Sequence, residues 1–227
     1  MKEKIGQQEE SSTAINKEMA LEKMELQRNS KKGMLHHRQS EQKKIILIRH
    51  GKPILQPQPP LSSADFGKWL SKYNEASIDE NVSPNTTTRQ IVESSEIIIS
   101  SNLKRSIESA KILGITKKHI VDKTFEEVGM PYNSWVFPKM PPTLWIILNR
   151  TLWFLGYSKN CESYQDAKSR SIECAQKLQE IVKENHSIAL IGHGFMNRFI
   201  GKQLLNAGWL GSKRPQSGYW KASIYLK

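Results

Sequence analysis

Lys44-Ile45-Ile46-Leu47-Ile48-Arg49-His50-Gly51 is the stretch whose reading decides the fold. Four large aliphatic residues in a row, bounded by lysines and a glycine, predict a buried parallel strand covered on both faces. Arg49 and His50 are groups that such a strand does not ordinarily carry, because burying them unpaired is costly. The sheet is therefore expected to open at this end onto a pocket, where open α/β sheets bind ligands.

Two further stretches repeat the pattern. Glu96-Ile97-Ile98-Ile99-Ser100-Ser101 is a short aliphatic strand ending in small polar residues. A helix is expected to follow from Asn102, with Leu103, Ile107, Ala110 and Leu113 on one side, Gly114 as its stop, and Arg105 in its first turn facing the strand ends. Ser187-Ile188-Ala189-Leu190-Ile191-Gly192 is the third strand, leading to His193, Gly194 and a helix from about 195 to 205. Ala222 to Leu226 reads as the last strand and His119 to Asp122 as another short one. Ser62 or Ser63 caps a helix carrying Phe66, Trp69, Leu70 and Tyr73, a short helix covers about 89–94, and Glu162 to Glu184 is a long amphipathic helix. Strands alternating with helices give an α/β fold with a doubly wound, mostly parallel sheet flanked by helices.

Three segments interrupt that alternation. Pro53 to Pro60 holds four prolines and reads as an extended loop. Phe125-Glu126-Glu127-Val128-Gly129 is a loop with two adjacent carboxylates. A proline-punctuated run, Tyr132 to Pro142, then leads into an apolar helix from Leu144 to Leu155, closed by Gly156. We expect this part, about 130–160, to form a small cap insertion beside the pocket.

Among the 227 residues the formal net charge is +12, which permits anionic partners without choosing among them. Residues 1–43 are rich in Lys, Glu, Gln and Ser and contain no aromatic residue, so they are expected to be a disordered tail preceding a 44–227 domain. Cys161 and Cys174 have no CxxC spacing and no neighbouring histidine cluster, which argues against a metal site or a disulfide framework. No secretory signal precedes Ile45. The longest apolar stretch, Leu144 to Tyr157, falls short of the roughly 20 residues that cross a bilayer. A cytoplasmic protein without a membrane span is expected, and no basic motif interleaved with aromatic residues points to nucleic acid.

Three strands thus end in Arg49-His50-Gly51, in Ser100-Ser101 ahead of Arg105, and in Gly192-His193-Gly194. Two imidazoles and two guanidiniums gathered at converging strand ends call for an anion, and arginine offers fixed bidentate donors for phosphate oxygens. A helix beginning just after His193 is expected to add backbone N–H groups and a favourable dipole.

At these residues the sequence resembles the histidine phosphatase superfamily, with its phosphoglycerate mutase-like fold. Arg49-His50-Gly51 after a hydrophobic strand, a Ser-x-Leu-x-Arg type segment ending at Arg105, the Glu127 region, and Gly192-His193-Gly194 occur in the expected order across 44–227. The resemblance implies a metal-independent phosphatase acting on a small phosphorylated substrate, without a cofactor. His50 would be the nucleophile that forms a phosphohistidine, Arg49, Arg105 and His193 would bind the phosphoryl oxygens, and Glu127 would be the general acid and base, with Glu126 as the alternative acid. Lys52-Pro53-Ile54-Leu55 stand where the mutases carry their Trp-Asn and Phe-x-Gly-Trp pattern, so hydrolysis is favoured over mutase activity. The competing reading is a catalytically silent module of the same fold that binds a phosphoryl ligand or docks a partner.

Overall fold

The computed structural model describes Met24, Arg28, residues 42–113 and residues 117–227. The expectation of a disordered tail falls almost wholly outside these residues, as does the Gly114 helix stop.

β1 (Lys44–Arg49) lies inside a six-stranded sheet, with β4 (Ser187–Gly192) parallel on one side and β6 (Ala222–Leu226) antiparallel on the other. β2 (Ile97–Ser100) runs parallel between β4 and β3 (Lys118–Val121), and the two-residue β5 (Leu210–Gly211) pairs antiparallel with β6 at the far edge. The sheet is therefore mixed, with β6 running against the other five strands. β5 is too short to carry a periodicity, and nothing in the sequence announces it.

Alternate residues of β1 feed two cores, as a strand covered on both faces must. Ile45 and Leu47 pack with Cys174, Leu178, Val182, Met196 and Ile200 from α5 (Tyr164–Glu184) and α6 (Gly194–Asn206). Ile46 and Ile48 pack with Val92 of α2 (Thr86–Glu93), Ala110 of α3 (Lys104–Ile112), and Trp220. Helix starts follow their caps. Ser62 accepts the Asp65 N–H at the head of α1 (Ser63–Glu75), Asn85 accepts that of Thr88, and Ser163 with Asp166 forms a capping box for α5. The Asn85 cap sets α2 three residues earlier than the apolar pattern predicts. α3 starts at Lys104 with Leu103 as an N-cap that offers no side-chain bond. The apolar helix after the proline-rich loop is α4 (Pro142–Phe154), and it packs on α1 through stacked Phe66 and Trp145 rings, 6.1 Å apart.

Candidate active site

β1 ends in Arg49, and the next residue, His50, donates its N–H to the Gly192 carbonyl at 3.0 Å, which ties the two histidine-bearing strand ends together. The His50 and His193 rings are 5.0 Å apart between centroids. Both side chains are buried, His50 being 1 % exposed.

Hydrogen bonding determines the His50 tautomer. Its Nδ1 lies 2.7 Å from the Gly51 carbonyl, which can only accept, so Nδ1 carries the proton and Nε2 a free lone pair. Arg105 donates its Nε–H to that Nε2 at 3.2 Å. Burial, then the Arg105 charge and, less strongly, that of Arg49 push the His50 pKa down to about 3, while the Gly51 hydrogen bond works the other way. The imidazole is neutral at any ordinary pH. His193 is held well below the usual histidine range by burial, then by His50, Arg105 and Arg49.

Arg105 is fully buried, and burial lowers its pKa. One terminal nitrogen donates to the Tyr73 carbonyl at 3.2 Å and to Asn74, and its guanidinium lies over the Tyr73 ring at 4.7 Å. Arg49 donates to the Ser217 carbonyl and lies over the Tyr219 ring at 4.2 Å. The Ser101 hydroxyl, which accepts the Leu103 N–H, is 2.6 Å from His193 Nε2, and that of Ser106 is 3.3 Å away. Arg49 Nε and His193 Nδ1 are buried polar atoms with no hydrogen-bond partner among the described residues.

Glu127 sits at the head of α6. Its carboxylate accepts the N–H groups of Val128 at 3.0 Å, Phe195 at 3.3 Å and Met196 at 3.0 Å. The expectation that this helix N-terminus serves a substrate anion is narrowed, because Glu127 takes the Phe195 and Met196 N–H groups near the favourable end of the dipole. A Cβ built on Gly194 would stand 3.7 Å from Arg49 Cζ and 3.8 Å from Glu127 Oε2, so this glycine keeps clear the space between cation and carboxylate. Glu126 contributes its carbonyl to Arg170 at 2.9 Å, and its carboxylate makes none of these contacts. Arg170 also donates to the Thr124 carbonyl and pairs with Glu162, anchoring the loop from the α5 side. Arg150 of α4 does so from the other, donating to the carbonyls of Gly129 at 3.0 Å and Val128 at 3.3 Å.

A cavity of about 1030 Å³ opens over this cluster, and Arg49, Arg105, Glu127, Tyr219, Arg150 and Phe195 are among its walls. Neither imidazole is among the residues that line it. The five residues singled out in the sequence thus come together, in two layers. Ser101, Ser106, Tyr73, Tyr219 and Arg150 were not singled out as site residues. Only Arg150, a charge inside an apolar helix, and Ser101, a polar strand end, carry a signal that could have found them.

By sequence, neither a family model nor a curated relative matches the chain. By structure, it is similar to phosphoserine phosphatase from Entamoeba histolytica, solved with 3-phosphoglyceric acid: 20 % identity, TM-score 0.52, covering 80 % of this chain and 89 % of that one. The product of an open reading frame of Mycobacterium tuberculosis matches with 16 % identity and TM-score 0.53 over 80 % of this chain and 90 % of that one. A mycobacterial glucosyl-3-phosphoglycerate phosphatase matches with 17 % identity and TM-score 0.50 over 73 % and 80 %. Two of these three neighbours are phosphatases. The α/β fold of the chain is the phosphoglycerate mutase-like one they share.

Proposed function

We propose that this chain hydrolyses phosphate monoesters by a two-step transfer through His50, with no metal ion. The observation that carries the reading is the His50 tautomer: a backbone carbonyl holds the proton on Nδ1, so a neutral ring presents the Nε2 lone pair among cations. In the first step Nε2 forms a bond to phosphorus as the phosphorus–oxygen ester bond breaks, and the leaving alcohol takes a proton from Glu127. In the second, Glu127 removes a proton from water, the water oxygen attacks phosphorus, and the His50 nitrogen–phosphorus bond breaks to release inorganic phosphate. Arg49, Arg105 and His193 meet the charge on the phosphoryl oxygens, the role in which positioned donors contribute most to phosphoryl transfer. Arg49 Nε and His193 Nδ1, buried and unpartnered, suit that role, since buried donors without partners call for a ligand. Glu127 is the assigned acid rather than Glu126 because its carboxylate is held by the Phe195 and Met196 N–H groups at the head of α6, the helix that starts next to His193.

The test is turnover of p-nitrophenyl phosphate with EDTA present, by wild type and by His50→Ala. Activity in the first and none in the second is expected, with a base-stable, acid-labile phosphoprotein trapped on rapid alkaline quenching of the wild type. Activity retained by His50→Ala overturns the mechanism.

Two observations favour the silent-module reading: Arg105 donates directly to the nucleophilic nitrogen, and neither imidazole is among the residues that line the cavity. On that reading phosphate or vanadate binds while no ester in a broad panel turns over.

A further inference from the structure

α4 is amphipathic in the wrong sense for a helix lying on a water-soluble domain. Its strongly polar side chains, Asn149 and Arg150, are buried together with Trp145 and Trp153. Its outward face consists of Leu144, Ile147, Leu148, Thr151 and Phe154, continued by Leu155, with Ile147 64 % and Leu155 79 % exposed. An ordinary surface helix puts charge on that side, and α5 does so with Lys168, Glu173 and Glu180. The loop leading into α4 adds Trp135, Val136 and Phe137, all more than half exposed. Such a concentration of outward apolar side chains marks an interaction surface.

The surrounding charge identifies what covers it. From Val128 to Cys161 the chain has no acidic residue, while Lys139 precedes the helix and Lys159 follows it. The apolar ridge is flanked within its own segment only by cations, Asp65 of α1 being the carboxylate near Lys139, and on a chain of net charge +12 it is poorly matched to a second copy of itself. It is complementary to an anionic surface that accepts apolar side chains between its charges, which is the headgroup and acyl boundary of an anionic bilayer. The ridge is convex, with leucine, isoleucine and phenylalanine projecting from a helix, and therefore suits insertion between lipids. With 13 residues α4 is about 20 Å long, too short for a hydrocarbon core of about 30 Å, so it would lie in the interface plane.

We propose that this protein docks peripherally on anionic lipid surfaces through the outward face of α4, with Leu144, Ile147, Leu148, Phe154 and Leu155 entering the interface and Lys139 and Lys159 facing the headgroups. Docking is independent of catalysis. It places on the lipid side the same helix whose Pro142, Ile146 and Arg150 border the active-site cavity.

The experiment is flotation of the full-length protein with vesicles of phosphatidylcholine alone and of phosphatidylcholine mixed with phosphatidylserine, beside the variant Ile147→Gln with Leu148→Gln. Both positions are exposed, so the variant is expected to keep the wild-type melting temperature. Wild type is expected to bind the anionic vesicles, less as salt rises, and the double variant to bind at least about tenfold more weakly, since two apolar side chains no longer leave water. Lys139→Gln with Lys159→Gln should weaken binding to anionic vesicles and leave binding to neutral ones unchanged. The proposal is overturned if wild type does not bind, or if the Ile147/Leu148 variant binds as well as wild type, which would assign binding to the basic N-terminal residues. It is equally overturned if the ridge proves to join two copies, seen as a dimer in sedimentation velocity that this variant dissolves.

Discussion

At the strand ends His50 and His193, with Arg105 from the head of α3, are polar groups buried at a cavity and Arg49 is half-buried, whereas along α4 leucine, isoleucine and phenylalanine face outward. Both regions border the same cavity, and each reverses the usual placement of its residue types. The strand ends offset the cost internally: a carbonyl takes the His50 proton, Arg105 donates to the bare nitrogen, serines meet His193, and aromatic rings lie against both arginines. The α4 face has no such partners among the described residues. The contrast separates polar groups fixed by internal partners beside the cavity from apolar groups left facing outward. Arg105 and Arg150 show the same division at single residues. Both are buried, but one guanidinium bonds the His50 ring and the other bonds only carbonyls beside Glu127.

The contrast can be broken most decisively at Arg105. Arg105→Ala should lower kcat by about 10²-fold or more, as loss of one oxyanion donor does elsewhere, with p-nitrophenyl phosphate and with an alkyl phosphate alike. Arg105→Lys should not restore it, because an ammonium lacks the planar fork. Arg150→Met should leave p-nitrophenyl phosphate turnover within about tenfold of wild type, since that leaving group needs little help from a general acid. Equal losses at both arginines would erase the distinction.

Gly51→Ala comes next. Its Cβ would stand 2.3 Å from Trp220 Cζ2, and that indole is held by a 2.6 Å bond to the Val82 carbonyl, so the ring has little freedom to yield. Overpacking of this kind costs about 1–3 kcal/mol, measured by denaturant unfolding. Stability unchanged by the substitution would show that the strand-end packing is looser than described.

A smaller effect follows from acid. Below pH 6.5 an unfolded imidazole takes up a proton that the folded His50 refuses until about pH 3, so the unfolded state binds more protons and stability falls as pH falls through that window. Each such histidine contributes a slope of about 1.4 kcal/mol per pH unit. Denaturant midpoints at pH 7 and pH 5 should show the loss, and His50→Gln should reduce it. The smallest effect sharpens the contrast from the other side: Ile147→Gln with Leu148→Gln should change folding stability by no more than about 0.5 kcal/mol per site. A larger loss would mean that this face packs within the protein.

Much of this arrangement is legible in the sequence because the physics that dictates it is local. β1, β2 and β4 announce themselves as aliphatic runs, and Arg49, His50 and His193 stand out because polar groups at the end of such runs need a reason to be there. Glu127 is harder. Only the meeting of its loop with the head of α6 separates it from Glu126, and that meeting depends on Arg170 and Arg150 from two distant helices. The occupation of the Phe195 and Met196 N–H groups by Glu127 is invisible for the same reason. Tyr219 and Ser217 carry no pattern at all: they contact Arg49 because β6 pairs with β1, a long-range pairing that no periodicity reports.

That pairing bears on how the protein is made. β1 is synthesised early, yet its two neighbours in the sheet are residues 187–192 and 222–226. Until the ribosome has delivered both, Ile45 to Ile48 is an aliphatic strand with open edges, the kind of segment that chaperones cover and that aggregates when they do not. His50 gains its surroundings only when Tyr219 and Trp220 arrive beside it. The strand leading into His50 is translated before both of its neighbours, so a stall or cut ahead of residue 219 would leave His50 without Tyr219 and β1 without β6.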